Sequence, residues 1–158
     1  MKTPKIYLET TLFNYYFETD REAHPHTVAL FAEIAAGNYT AFTSKAVMDE
    51  LENAPLKKYE RMLALTGEYP IQMLADNDTA NKLADFYVAE GIIPVKYRMD
   101  GLHIALAAVY ELDFVVSLNY KHIVKAKVKR MANAVNALHG YKPVEIATPM
   151  EIIEHEND

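Results

Sequence analysis

A chain of 158 residues, 51% of them hydrophobic, holds enough apolar material for one full core and fits a single domain. Sixteen basic against 22 acidic residues leave a formal charge of −6, which excludes a surface coated in positive potential for sequence-independent nucleic-acid binding and confines any such contact to a local basic patch. With no cysteine there is neither disulfide nor thiolate chemistry, and oxygen and imidazole are the remaining metal-ligand types.

Five short apolar runs read as strands: KIYLE (5–9), TAFTS (40–44), PIQML (70–74), DFVVS (113–117) and VEIAT (144–148), each bounded by turn formers or charge. Helix-type patterns separate them. The first, 27–36, carries Val28, Leu30, Phe31 and Ile34 and ends at Gly37; the second, 45–65, is interrupted by Pro55. The third runs through DNDTANKLADFYVAEG, capped by Asp and Asn and stopped by Gly91. After the linker IIPVKYR comes YRMDGLHIALAAV, with Leu102, Ala105, Leu106 and Val109 spaced as one helical face. The last helix carries Val124, Val128, Met131, Val135 and Leu138 and closes at Gly140.

The longest apolar run, Ile104 to Tyr110, is far short of the ~20 residues that cross a bilayer, and MKTPKIYLET has no signal-peptide pattern. A cytoplasmic protein without a membrane span is expected. Strands alternating with helices imply parallel neighbours joined by helical crossovers. The expected fold is a three-layer α/β/α sandwich around a five-stranded parallel sheet, a single domain over 1–150, with 151–158 as a short acidic C-terminal tail.

Ligands of such sheets bind outside the carboxyl ends of the strands, so the residues that end strands carry the information. Glu9 ends the first strand, Glu50 lies on the helix after the second, Asp100 opens the helix before the fourth, and the fourth runs out through Ser117 and Leu118 to Asn119. Carboxylates drawn within a few ångströms repel unless one protonates or a cation sits between them. Hard oxygen ligands without cysteine suit Mg²⁺ or Mn²⁺. Each acid also has an ordinary role: Asp100 as an N-cap, Glu50 as an exposed helix acid beside Asp49 and Glu52, Asn119 as a turn residue. Glu9, at the end of a strand expected near the sheet centre, is an acid that needs a partner.

Taken together, Leu8-Glu9-Thr10-Thr11, Glu50-Leu51, Asp100-Gly101-Leu102-His103-Ile104-Ala105-Leu106-Ala107 and Ser117-Leu118-Asn119 resemble, in order and along essentially the whole chain, the PIN-domain family of VapC-like toxin ribonucleases. The resemblance implies a parallel sheet in the order 3-2-1-4-5 and metal-dependent cleavage of RNA. It makes Glu9, Glu50, Asp100 and Asn119 the catalytic and Mg²⁺- or Mn²⁺-binding residues, with Thr10 and Ser117 in support. It further implies a homodimer and an antitoxin partner that covers the acidic pocket. Three positions depart from the family pattern: Glu9 stands for Asp and moves the carboxylate by roughly 1.5 Å, the scale of one C–C bond, Gly101 stands for Ala, and Asn119 stands for Asp, so the pocket holds one charge fewer.

The segment NYKHIVKAKVKR follows Asn119 directly, and Lys121, His122 and Lys125 are the candidates to take RNA phosphates; the remaining basic residues fit the solvated face of a helix. His103, one turn into the helix from Asp100, has two readings: a group that orients a metal-bound water or a phosphate, or, favoured by the flanking Leu102 and Leu106, a core histidine satisfied by a backbone carbonyl. The pair His24-Pro25-His26 lacks further ligands at zinc spacing and sits in what reads as a loop. Two other functions compete with the nuclease. A weakly active or non-catalytic PIN-fold protein that binds RNA or a protein partner is supported by Glu9 and Asn119. A phosphoacceptor receiver domain expects paired acids at the first strand end, where this chain has one.

Overall fold

The five apolar runs become β1 (Lys5–Leu8), β2 (Thr40–Ser44), β3 (Ile71–Leu74), β4 (Phe114–Val116) and β5 (Glu145–Ala147). They form one all-parallel sheet in the order β3-β2-β1-β4-β5. The computed structural model describes residues 2–157, with side chains as far as 153. In β1, Tyr7 pairs with Phe42 on one side and Val115 on the other. Flanked on both edges and covered on both faces, Ile6, Tyr7 and Leu8 are fully buried, which is why this strand is an unbroken apolar run rather than an alternating one.

The chain starts at the sheet centre, builds outward to β3, then returns to the other side of β1 for β4 and β5. The direction of winding therefore reverses between β1 and β4, and the crevice there lies outside the carboxyl ends of both strands. Helices fill the connections: α1 (Thr10–Tyr15), α2 (His24–Ala35), α3 (Lys45–Leu51), α4 (Leu56–Glu68), α5 (Asp78–Ala89), α6 (Arg98–Val109), α7 (Ala126–Leu138) and α8 (Pro149–Asn157). The result is the three-layer α/β/α sandwich expected.

Three local expectations need correction, and one helix lies where no element was assigned: the residues after β1 form α1, too short to show a period. The His24-Pro25-His26 segment is the start of α2 rather than a loop, with Pro25 in the first turn, where its missing N–H costs nothing. The last residues, expected as a tail, continue into α8, and Ile152 is buried; α8 lies against α2. Finally, α6 has no narrow apolar stripe, because every residue from Asp100 to Ala108 is buried.

Gly101 lets α6 sit this deeply. A Cβ there would stand 3.2 Å from Ile93 Cδ1 and 3.4 Å from Tyr87 Cδ2 on the neighbouring α5 side. The aromatic run FNYYF is absorbed by the core: Phe13 is buried, and Tyr16, Phe31 and Tyr69 stack edge to face with centroids 5.0–6.0 Å apart. Among the described residues no helix is long and apolar enough to cross a membrane.

Candidate active site

The site grows from the carboxyl end of β1. Glu9, the first residue past the strand, is 2% exposed and serves as the N-cap of α1. Ser, Thr, Asp and Asn are the usual caps; the longer Glu arm folds back so that Oε1 accepts from Thr11 N (3.1 Å), Thr11 Oγ1 (2.5 Å) and Ser117 Oγ (2.7 Å). Thr11 Oγ1 in turn accepts from Leu118 N at 2.8 Å. One carboxylate oxygen thus ties the end of β1 to the residues that leave β4. Oε2 takes no hydrogen bond from the described residues.

Glu50, on the penultimate position of α3, repeats the pattern. Its Oε1 accepts from Thr10 Oγ1 at 2.8 Å and from His103 Nε2, and Oε2 again accepts from none of the described residues. His103 is fully buried on α6. The expectation of a backbone-satisfied histidine is wrong: its Nδ1 meets Tyr7 Oη at 2.6 Å, and Tyr7 Oη meets Ser44 Oγ at 2.6 Å. Ser44 caps α3 by accepting from Val47 N at 3.2 Å. β1, β2, α3 and α6 are therefore joined by one buried polar chain that ends on a carboxylate.

The titration behaviour of this chain orders its protons. Burial alone would lower His103, but the hydrogen bond and charge of Glu50, with Glu9 and Asp100 nearby, raise it above the usual histidine range. Burial would raise Glu50, but His103 and Thr10 hold it below the usual carboxylate range. Both shifts favour the charged pair, in which Nε2–H donates to Glu50, and the Nδ1–Tyr7 and Tyr7–Ser44 contacts extend the chain to β2. Burial keeps the Tyr7 phenol far above its ordinary pKa.

Asp100 sits in the first turn of α6, whose cap is Tyr97. Asp100 is thus inside the helix and not its N-cap. At 8% exposed its carboxyl is pushed up to about 6, first by burial and then by the charges of Glu9 and Glu50, against the pull of His103 and a hydrogen bond donated by Asn119. Asn119 Oδ1 accepts from His122 N at 3.0 Å. Glu9, Glu50 and Asp100 thus stand near enough for their charges to act on Asp100, and Thr10 and Ser117 hold two of these acids. Among the described residues no three His, Asp or Glu side chains stand at joint metal-ligating spacing.

Lys121 and Lys125 are exposed beside Asn119, and His122 stacks on Tyr97 with centroids 3.8 Å apart and planes 22° from parallel. Lys129 instead faces Glu151 at 4.0 Å, and Lys127 Nζ donates to Gly91 O at 3.4 Å, which takes both away from the crevice. Thr11, Tyr7 and Ser44 belong to the site without having been singled out. Thr11 lies next to the expected Thr10, whereas nothing in a strand pattern marks Tyr7 as polar at its tip.

Two solved structures share this arrangement of elements. VapC20 from Mycobacterium tuberculosis, a toxin that cleaves the sarcin–ricin loop, superposes with a TM-score of 0.57 at 10% identity, over 89% of this chain and 98% of that one. VapBC2 from Rickettsia felis, bound to a DNA fragment from its promoter, gives 0.54 at 12% identity, over 91% of this chain and 98% of the other. The chain has the VapC-type PIN-domain fold. No protein-family model and no curated protein matches the sequence. At such identity the PIN-domain likeness speaks for the architecture, and the chemistry rests on the residues above.

Proposed function

We propose that this PIN-fold chain is a metal-dependent endoribonuclease that hydrolyses RNA phosphodiester bonds, the toxin half of a toxin–antitoxin pair. The observation that carries the reading is the state of its acids. Three carboxylates share the switch-point crevice, an ionised Asp100 is opposed by Glu9 and Glu50, and Glu9 and Glu50 each keep one oxygen clear of protein hydrogen bonds while the other is pinned. The donor set is all hard oxygen, which suits Mg²⁺ or Mn²⁺ held through a few carboxylates with water completing the shell.

Glu9, Glu50 and Asp100 are the residues that would hold the ion, their side chains closing from the wider spacing they keep here, with Asn119 beside Asp100. A bound divalent ion supplies polarisation of water and charge neutralisation at the phosphodiester. The chain's own residues do the rest. His103 offsets the charge of Glu50 and, with Thr10, fixes its orientation. Thr11 and Ser117 fix Glu9. Lys121, His122 and Lys125 take phosphates of the RNA as it enters the crevice.

The likeness to VapC20, a toxin that cuts RNA, supports the reaction class, and VapBC2 supports an antitoxin as partner. A homodimer and a cytoplasmic location accompany this reading, the first tested by sedimentation at high concentration. The absence of closed ligating spacing, the pinned Glu9 and the neutral Asn119 favour a second reading, a weakly active or non-catalytic PIN-fold protein that binds RNA or a protein. Purified protein incubated with a mixed RNA pool in Mn²⁺, Mg²⁺ or EDTA, beside Asp100→Asn, separates the two. Cutting that requires metal and disappears in the variant supports the nuclease; no cutting, with no metal-dependent rise in melting temperature, supports the binding protein.

A further inference from the structure

Tyr97 stands three residues before Asp100 and is the cap residue of α6, yet its side chain makes no capping hydrogen bond. It is 36% exposed, and its ring lies nearly flat against His122, 3.8 Å between centroids. His122 is itself tied to the candidate site, since its backbone N–H donates to Asn119 Oδ1 at 3.0 Å. The two rings thus come from two separate elements, one from the start of α6 and one from the loop after β4, and meet three residues before Asp100 and three after Asn119. The Lys96 ammonium lies 5.7 Å from the centre of the Tyr97 ring, and Lys121 and Lys125 are exposed on the same loop as His122.

A partly exposed aromatic pair, with Lys96 at one ring and Lys121 and Lys125 on the loop that carries the other, has the two features that single-stranded nucleic acid uses: an outer π-face for an unpaired base and cations for the backbone. Bases inside a duplex are already stacked on their neighbours and gain nothing from such a surface. We infer that the Tyr97–His122 pair is a platform on which one unpaired base of an RNA strand stacks, so that the adjoining phosphate is directed toward the acids. This rests on the nuclease reading for the chemistry at the acids, but the binding step stands apart from it. Tyr97 is then a substrate-binding residue, and Lys96 joins Lys121 and Lys125 as a phosphate contact.

The test measures binding without cleavage. The probe is a short, mixed-sequence, fluorescein-labelled 2′-O-methyl RNA, titrated by anisotropy in Mg²⁺ against wild type, Tyr97→Phe and Tyr97→Leu, with a blunt RNA duplex of the same charge as control. Loss of one base–aromatic stack predicts roughly 5- to 150-fold weaker binding of the single strand by Tyr97→Leu. Tyr97→Phe should stay within about twofold of wild type, because the π-face remains, and the duplex should bind all three alike. Equal single-strand affinity for wild type and Tyr97→Leu, or a wild type that does not bind the single strand, overturns the platform. The parallel cleavage assay on unmodified RNA keeps the two ideas apart. Tyr97-dependent binding without cutting retains the platform and removes the nuclease; metal-dependent cutting with Tyr97-independent binding does the reverse.

Discussion

Replacing Asp100 by Asn should make the metal-free protein more stable near neutral pH while abolishing its function. In the folded chain the Asp100 carboxyl is raised from 3.8 to about 6 by burial and by Glu9 and Glu50, so ionising it costs the native state on the order of 3 kcal/mol relative to the unfolded chain. Because the folded value lies above the unfolded one, the native state binds the proton more tightly. The penalty is absent below about pH 4, grows between about 4 and 6, and is complete above that. Asn is nearly isosteric and carries no charge, but it gives up the attraction to His103, so the net gain at about pH 7.5 should be roughly 1–3 kcal/mol, or about 2–10 °C in melting temperature for a chain of this size. At about pH 4.5 the wild-type carboxyl is already largely protonated, and the gain should shrink to under about 1 kcal/mol. Thermal unfolding followed by circular dichroism in EDTA at both pH values reads this directly. A variant no more stable than wild type at pH 7.5, or an equal gain at both pH values, would refute the argument that the three acids oppose one another.

Divalent metal should have the opposite selectivity: Mg²⁺ or Mn²⁺ at about 100 times its Kd stabilises wild type by about 2.7 kcal/mol through mass action, and the rise in melting temperature should be much smaller for Asp100→Asn. Tyr7→Phe removes the hydroxyl between His103 and Ser44, leaving a buried imidazole donor unpaired, and should cost about 1–3 kcal/mol in thermal unfolding. Thr11→Val keeps the shape but leaves Leu118 N without its acceptor and Glu9 with one donor fewer; a similar loss of about 1–3 kcal/mol should appear with reduced RNA cleavage. The His103–Glu50 pair sets its own pH window. The depressed Glu50 contributes in full above its unfolded 4.5 and loses that contribution as pH falls below it, while the raised His103 contributes in full below 6.5 and loses it as pH rises above. His103→Gln should therefore flatten the alkaline limb of a stability–pH curve in EDTA; an unchanged limb would show that the imidazole is neutral throughout.

The sheet was legible because a parallel strand buried on both faces has to be apolar along its length: TAFTS is β2 to the residue, and the other four runs are one or two residues longer than their strands. The nearness of Glu9 and Glu50 to Asp100 follows from the topology, since residues that leave or approach the carboxyl ends of neighbouring strands lie at one edge of the sheet. What a one-dimensional pattern could not carry was direction. α6 shows a passable apolar face at Leu102, Ala105, Leu106 and Val109, but the opposite face is buried too, and His103 there meets Tyr7 and Glu50. α1 escaped notice because six residues cannot display a 3.6-residue period.

Glu9 shows how closely the fold and the candidate chemistry are bound. The extra methylene, read from sequence as a displaced metal ligand, gives the carboxylate the reach to cap α1 and to take Ser117 and Thr11 with the same oxygen. An Asp at this position has a shorter arm, and holding Thr11 N as a cap would draw its carboxylate back from Ser117 Oγ. The structural role therefore selects Glu at least as strongly as any metal does, and the free Oε2 is a by-product of three donors converging on Oε1. Glu9→Asp discriminates between these pressures: the lost Ser117 contact should cost about 1 kcal/mol of stability for one hydrogen bond to a charged group partly replaced by water, read as a fall of about 2–4 °C in melting temperature. If the site is a metal centre, the same change should leave Mg²⁺-dependent stabilisation intact or improved, because Asp is the residue the resemblance places here.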